Sequence, residues 1–172
     1  LRLGVLCDLL GRSVERDARD ATVEQFLSRY RVDREHAKRV AEMAVELFRD
    51  ARADAPVVAC QQLQRAALLH ETGFSVSHTG FHKHGAYILR NADMPGFSSG
   101  EQERLSWLVL GCRGGLAKVE PMLVDGDFRA QLCALRLAVI FHHARRPIAP
   151  LRLSLKVGSK IRFDVPARWL AR

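Results

Sequence analysis

Residues 68–89 read LLHETGFSVSHTGFHKHGAYIL and hold four of the seven histidines of the chain, together with one glutamate and three glycines. Histidine ligates metals, transfers protons and contacts anions near neutral pH, so this histidine-rich segment is the first place to expect chemistry. Apolar residues precede His70 and follow His84, whereas Gly73 and Gly80 lie among serines and threonines between them. The segment is therefore predicted to run from a helix through a loop into a second helix.

Helical periodicity continues on the N-terminal side of this segment. Thr22 and Gln25 form a candidate capping box for a first core helix, and Asp33 is a candidate N-cap for a second. In the second helix His36 shares a stripe with apolar residues, so its side chain is expected to point inward and to need a hydrogen-bond partner. Val57 to Leu69 then form the helix that leads into the histidine-rich segment.

The C-terminal side begins helical and then changes period. Ser98 and Glu101 form a second capping box, and Asp127 is the expected N-cap of a last long helix whose inward face runs through Val139 to His142 or His143. Apolar residues then alternate with basic ones on both sides of Gly158-Ser159, which predicts a hairpin with a two-residue turn. An isolated hairpin is marginal in water, so we expect it to pack on the helices or to pair with a further strand. The predicted fold class is mainly α, with a small C-terminal β-hairpin.

The composition excludes several classes of protein. A chain of 172 residues with 48% hydrophobic and 27% charged residues suits one main soluble domain. Uninterrupted apolar runs fall short of the roughly 18 to 20 residues that cross a bilayer, and the first residues do not resemble a signal peptide. The four cysteines are widely spaced and form no C-x-x-C pair. We therefore expect reduced cysteines and a cytoplasmic location without membrane contact.

The positive charge of the chain is concentrated near its C-terminus. Of a net charge of +8, residues 144–172 contribute eight lysines or arginines against one acid, Asp164. A basic patch attracts polyanions, although basic residues on a hairpin also serve simply as a solvated face that limits edge pairing. Because the only aromatic residues there are Phe163 and Trp169, specific nucleic-acid binding is not expected. The candidate polyanion-binding residues are His78, His82, Lys83, Arg113, Arg145, Arg146, Arg152 and Lys156.

The histidines support more than one interpretation. A histidine on one helix, a His-acid pair at the end of another and a histidine on a third resemble the metal site of HD domains, which implies His36, His70, Glu71 and His84 as ligands of a divalent metal. Three departures weaken the metal site: Glu71 stands in place of aspartate, Cys112 in place of a histidine, and the last helix offers no aspartate. The same residues could instead satisfy one another as polar groups in the core, or His78, His82, Lys83 and His84 could form an exposed anion-contacting surface.

Three blocks of sequence resemble a known family. LRLGVLCDLLGR at residues 1–12, LLHETGFSVSHTGFHKHGAYILRNADMPGFS at 68–98 and QERLSWLVLGCRG at 102–114 are similar to the C-terminal half of the exopolyphosphatase and guanosine pentaphosphate phosphohydrolase (Ppx/GppA) family. The resemblance implies a connecting helix and linker at residues 1–20, an HD-like helical domain at 21–149 and a basic hairpin segment at 150–172. It also implies a homodimer that binds polyphosphate without hydrolysing it.

In that family the catalytic site lies in an N-terminal pair of actin-like domains with glycine-rich phosphate loops and a magnesium ion. Those motifs do not occur in this chain, so catalytic residues are not expected here. The leading hypothesis is a polyphosphate-binding and dimerisation domain of an enzyme that releases terminal phosphate from polyphosphate or guanosine pentaphosphate. The alternative is a residual metal-dependent HD-type phosphohydrolase that acts on a nucleotide such as guanosine tetraphosphate or pentaphosphate.

Overall fold

The computed structural model describes residues 18–145, 153–158 and 160–165. Two antiparallel strands follow a succession of helices, which confirms a mainly α fold with a small C-terminal hairpin. The described elements are α1 (residues 18–29), α2 (Arg34–Ala51), α3 (Val57–Leu69), a 3-10 helix (Thr72–Ser75), α4 (Phe81–Asn91), α5 (Ser99–Gly111), a second 3-10 helix (Ala117–Val124), α6 (Gly126–Phe141), β1 (Ser154–Val157) and β2 (Ile161–Asp164).

The core lies where the helices face one another. Helix α2 packs against both α3 and α6, while α5 packs against α3 and α4. Phe48 of α2, Leu63 of α3 and Phe128 of α6 are completely buried there. Burial of each such side chain stabilises the fold by about 1.5–3 kcal/mol, so this packing holds α2 and the end of α3 in fixed relative positions.

Two predicted helix starts are confirmed. The carboxylate of Asp33 accepts a hydrogen bond from the backbone N–H of His36, 3.0 Å away, which satisfies a donor that the first turn of α2 leaves free. At the start of α5 the hydroxyl of Ser98 and the carboxylate of Glu101 make the reciprocal bonds of a capping box. The cap of α2 also brings His36 into the core at 3% exposure, as its helical spacing predicts.

Two other predicted starts are wrong. Residues 18–20 are already helical, so Thr22 lies inside α1, and its hydroxyl donates to the carbonyl of Pro95 instead of capping the helix. Helix α6 is capped by Asp125, whose carboxylate accepts from the N–H groups of the second and third helical residues. Asp127, the predicted cap, instead pairs with Arg52 at 2.8 Å. A neighbouring aspartate two residues earlier offers the same local signal, and the sequence pattern does not separate the two.

The inward face of α6 runs as predicted, since Val139 packs against the core and His142, just after the helix, is buried. The hairpin differs in its turn. Val157 pairs with Ile161, so three residues, 158–160, connect the strands instead of two. The hairpin packs on the helices: Leu155 is fully buried, its N–H donates to the carboxylate of Asp50 on α2 at 2.6 Å, and the hairpin ring of Phe163 meets Phe141 of α6. The predicted connecting helix and linker at residues 1–20 lie outside the described residues as far as residue 17, and residues 18–20 already belong to α1.

Membrane-spanning helices are absent from residues 18–145, 153–158 and 160–165, where no helix combines the necessary length and apolarity.

The loop of the histidine-rich segment depends on close backbone contact. A Cβ atom on Gly73 would lie 1.9 Å from the carbonyl oxygen of Phe81 and 2.5 Å from the backbone nitrogen of Gly85. Only glycine therefore allows the 3-10 helix to lie directly against α4. This contact sets the position of α4, and with it the positions of His82 and His84, relative to the end of α3.

We expect Gly73→Ala to destabilise the domain strongly, by at least about 2–3 kcal/mol, because backbone atoms must move to admit the methyl group. Gly100→Ala is the matched control, since nothing lies within 4 Å of a Cβ placed there. That control should be neutral or stabilising by up to about 1 kcal/mol, as expected for alanine in a helix. Urea unfolding of both variants measures the difference, and equal stabilities would contradict the backbone contact.

Candidate functional site

His36, His70 and Glu71 form a buried cluster between α2 and the C-terminal end of α3. Their exposed fractions are 3%, 1% and 7%. The Oε1 atom of Glu71 lies 3.4 Å from Nε2 of His36 and 3.9 Å from Nε2 of His70. One ligating atom from each residue lies within 4.8 Å of the others, a spacing that a metal ion could bridge.

The hydrogen bonds of His70 fix its tautomer. Its Nδ1 atom lies 2.6 Å from the carbonyl oxygen of Ala67, and a carbonyl can only accept, so Nδ1 carries the proton. Burial lowers the pKa of His70, which favours the neutral ring. The Nε2 atom of a neutral ring of this tautomer presents a lone pair toward Glu71, as a histidine ligand of a metal would. The Nδ1 atom of His36 has no hydrogen-bond partner among the described residues.

The carboxylate of Glu71 is charged and has a cationic partner. Burial alone would raise its pKa, but the hydrogen bond with His36 and the positive charge of Arg145 lower the pKa below its usual value. Arg145, just beyond α6, donates from Nη2 to Oε1 of Glu71 at 2.7 Å and from Nη1 to Asp33 at 3.1 Å. The guanidinium of Arg145 therefore neutralises the negative charge of the buried cluster.

His84, the fourth predicted ligand, lies outside the buried cluster, and Cys112, which stands in place of a histidine ligand, carries no charge. His84 is partly buried on α4 and is not part of the three-residue ligand group. Burial raises the pKa of Cys112 to about 12, so its thiol stays protonated at neutral pH. On the side of α6, Val139 and His143 line a cavity beside the cluster, and the ring of His142 lies 6.5 Å from that of His36. Two imidazoles and one carboxylate still form a donor set that fits a divalent transition metal.

A second cluster lies around His82, at the start of α4. The ring is only 8% exposed, and its Nδ1 atom has no hydrogen-bond partner among the described residues. Burial, followed by the positive charges of Lys118, Lys83, Arg113 and Arg136, lowers the pKa of His82 to about 4. We call these five residues the cationic cluster. It brings together four permanent positive charges around a neutral imidazole.

Backbone contacts hold part of the cationic cluster in place. Arg136 of α6 donates to the carbonyls of Gly111 and Gly114 at 2.7 and 2.9 Å, and the amine of Lys118 donates to the carbonyl of Arg113. Burial and the neighbouring charges of Arg136 and Lys83 lower the pKa of Lys118, although Cys112 acts against this shift. These bonds leave part of each cation's donor capacity available to a ligand.

The cationic cluster contains three residues predicted from sequence, His82, Lys83 and Arg113. Sequence reasoning missed Lys118 and Arg136. Lys118 follows Arg113 within one short glycine-containing turn, a local signal that could have identified it. Arg136 had no such signal, because only the packing of α6 against the end of α5 brings it there.

The remaining predicted polyanion-binding residues are dispersed. His78 is exposed, and its ring lies 4.9 Å from that of Phe74. Lys156 is exposed on β1, directly across from Arg162 of β2. Arg145 is turned toward Glu71 and Asp33, whereas Arg146 and Arg152 lie outside the described residues.

A cavity of about 200 Å³ adjoins both clusters. Its lining includes the buried cluster on one side and Arg113 of the cationic cluster on the other, with the rings of Phe74 and Phe81 between them. The guanidinium of Arg113 lies 5.7 Å from the centre of the Phe81 ring, and that of Arg145 lies 6.0 Å from the Phe74 ring. One cavity is therefore bounded by a group of charges that includes its own counter-ion and by a cation of a group for which the described residues supply no acidic partner.

Comparison with known proteins places this geometry in a family. The sequence model described as Ppx/GppA phosphatase, domain III, matches residues 18–172, which is nearly the whole chain. The chain belongs to the Ppx/GppA phosphatase family. The histidine-rich segment, both clusters and the hairpin all lie within the matched domain III, so the resemblance seen in the sequence is confirmed.

Curated relatives of domain III carry the name guanosine-5'-triphosphate,3'-diphosphate pyrophosphatase. The protein of Aeromonas hydrophila is 33% identical over 184 residues, covering 99% of this chain and 36% of the relative. Those of Aeromonas salmonicida and Pseudoalteromonas translucida are 36% and 37% identical over 148 and 121 residues, covering 81% and 69% of this chain and 28% and 24% of their own length. The chain thus spans between about a quarter and just over a third of the length of these relatives.

We expect the domain to lose stability as the pH falls below 6.5. The pKa of His82 drops on folding from 6.5 to about 4, so between these values the unfolded chain binds the proton that the folded chain excludes. Burial also lowers the pKa values of His70 and His142, which act in the same direction. Urea unfolding at pH 7.5, 6.5 and 5.5 should show a falling free energy of unfolding.

The variant His82→Asn should flatten this dependence, because the asparagine amide does not titrate. His84→Asn, on the same helix and with a partly exposed side chain, is the matched control and should retain the wild-type slope. A His82→Asn slope as steep as that of the wild type would contradict the role given to His82.

Proposed function

We propose that this domain III binds phosphate-rich anions, such as polyphosphate or a guanosine polyphosphate, without hydrolysing them. The observation that carries the proposal is the cationic cluster. Lys83, Lys118, Arg113 and Arg136 surround a neutral, nearly buried histidine that lacks a hydrogen-bond partner among the described residues. Grouping like charges costs energy, and an anionic ligand removes that cost.

The chemistry of the cluster suits phosphate. Guanidinium and ammonium groups donate hydrogen bonds to phosphate oxygens, and arginine can do so in a bidentate way. The turn between Arg113 and Lys118 leaves an open approach to the cationic cluster, because nothing lies within 4 Å of a Cβ placed on Gly115. An extended anion that starts at the cluster can continue past Arg113 toward His78, which lines the adjoining cavity.

We infer that hydrolysis takes place in a part of the parent enzyme outside domain III. We propose that the parent protein cleaves a phosphoanhydride bond in a magnesium-dependent N-terminal half, and that domain III holds the substrate near it. The names of the relatives refer to guanosine 5'-triphosphate 3'-diphosphate, which shares its phosphoanhydride chemistry with polyphosphate. Such tethering raises the local concentration of substrate and does not require chemistry in domain III.

The cytoplasmic location remains a prediction.

Residual metal-dependent hydrolysis is the second candidate function, and the close spacing of His36, His70 and Glu71 favours it. A metal ion held there would supply a Lewis acid and an activated water. This candidate requires that Arg145 leave Glu71, because its guanidinium is already bound to the same carboxylate. The contact makes the anion-binding proposal the better supported of the two.

We expect the double variant Lys83→Gln/Lys118→Gln to bind long-chain polyphosphate at least about tenfold more weakly than the wild type at low salt. Loss of two phosphate contacts should also make the slope of log affinity against log salt shallower by one to two units. Lys38→Gln, which removes an exposed lysine of α2, is the control and should bind like the wild type apart from a small effect of net charge. Fluorescence anisotropy with end-labelled polyphosphate measures both quantities. Affinity unaffected by salt, or equal for the double variant and the control, would contradict the proposal.

We also propose that the domain forms a homodimer. Tyr87 of α4 and Ile140 of α6, which are 71% and 62% exposed, are candidate apolar contacts of such an interface. Sedimentation equilibrium of the 172-residue chain should give about twice the monomer mass at micromolar concentration. A monomer mass across that range would contradict dimerisation and leave anion binding to be judged separately.

A further inference from the structure

The buried cluster combines the ligands of a metal site with a cation supplied by the chain itself. Oε1 of Glu71 is close to Nε2 of both histidines and accepts a hydrogen bond from Arg145 at 2.7 Å. A divalent metal bound to the same oxygen would need to approach it to about 2.0–2.2 Å. The guanidinium and a metal ion would therefore compete for one oxygen and would repel each other.

The separations of the donor atoms suit a metal. Two atoms bound to one tetrahedral metal at about 2.1 Å are roughly 3.4 Å apart. The distance from Glu71 to His36 is 3.4 Å and that from Glu71 to His70 is 3.9 Å. All three ligating atoms lie within 4.8 Å of one another, so the side chains need to close by at most about 1.4 Å to reach this spacing. His70 is already held in the ligating tautomer by the carbonyl of Ala67.

Three contacts hold Arg145 over these ligands. Its second guanidinium nitrogen binds Asp33 at 3.1 Å, its side chain lies over the Phe74 ring, and its backbone carbonyl accepts a hydrogen bond from Arg39 at 3.3 Å. Its backbone adopts a left-handed conformation, with φ at 56°, which is unfavourable for arginine. The chain thus turns sharply after α6, and the side chain returns to the cluster.

We propose that His36, His70 and Glu71 form a latent divalent-metal site that Arg145 occupies in place of the ion. The wild-type protein then excludes transition metals from the cluster, and removal of the guanidinium exposes a three-ligand site with room for water. Arg145 acts as an internal counter-ion that keeps the carboxylate satisfied without metal. This inference concerns the buried cluster alone and does not depend on anion binding by the cationic cluster.

Metal titration of the full 172-residue chain tests the proposal. Co²⁺ is added to the wild type, to Arg145→Met and to Arg145→Met/His70→Ala, and binding is followed by calorimetry and by the visible absorption of the ion. Arg145→Met should bind one equivalent at least tenfold more tightly than the wild type, and the added His70→Ala change should abolish the gain. The melting temperature of Arg145→Met should rise with Co²⁺, whereas that of the wild type should not.

Arg113→Met is the matched control, because it removes a different guanidinium that lines the same cavity over the Phe81 ring. It should leave Co²⁺ binding as weak as in the wild type. Wild-type binding as tight as that of Arg145→Met would overturn the proposal, as would a folded Arg145→Met protein that gains no affinity. If Arg145→Met is unfolded without metal, refolding at one equivalent of Co²⁺, seen by circular dichroism, supports the site, and failure to refold at any concentration overturns it.

Discussion

The centre of the domain depends on the charge of one buried carboxylate. Glu71 is 7% exposed, and a charged group taken out of water must be compensated by partners of the right kind. Its partners come from three places: His36 from α2, His70 from the end of α3 and Arg145 from beyond α6. The requirement to satisfy this carboxylate therefore joins three elements that are distant in sequence.

The same requirement explains the path of the chain after α6. A left-handed conformation at a residue other than glycine costs about 1–2 kcal/mol, and Arg145 adopts one. Loss of Arg145 would leave the buried carboxylate of Glu71 without its cationic partner, although the guanidinium is 45% exposed and solvent screens part of the attraction. The ion pair therefore acts against the backbone strain at Arg145. The resulting turn lies between α6 and the hairpin, which is anchored separately by Leu155 and Asp50.

Local patterns predicted most of the fold and only part of the site. Helical spacing placed α3 at its observed bounds and His36 in the core, and the caps at Asp33 and Ser98 were correct because a cap is a local hydrogen bond. Arg136 was missed, and the contacts of Arg145 with the buried cluster were not predicted, because both depend on contacts between residues distant in sequence. Arg145 contacts Glu71 across 74 residues and Asp33 across 112, and the spacing of residues along one helix carries no information about such pairs.

The two clusters show why the histidines by themselves did not determine the chemistry. His70 and His82 are both nearly buried, and burial lowers the pKa of both. The difference lies in their surroundings: His70 adjoins a carboxylate that the chain already neutralises, whereas His82 adjoins four cations. A group of charges that has its counter-ion has no electrostatic need for a ligand, and one without a counter-ion attracts an anion. The arrangement of charge, more than the presence of histidine, therefore distinguishes the two clusters.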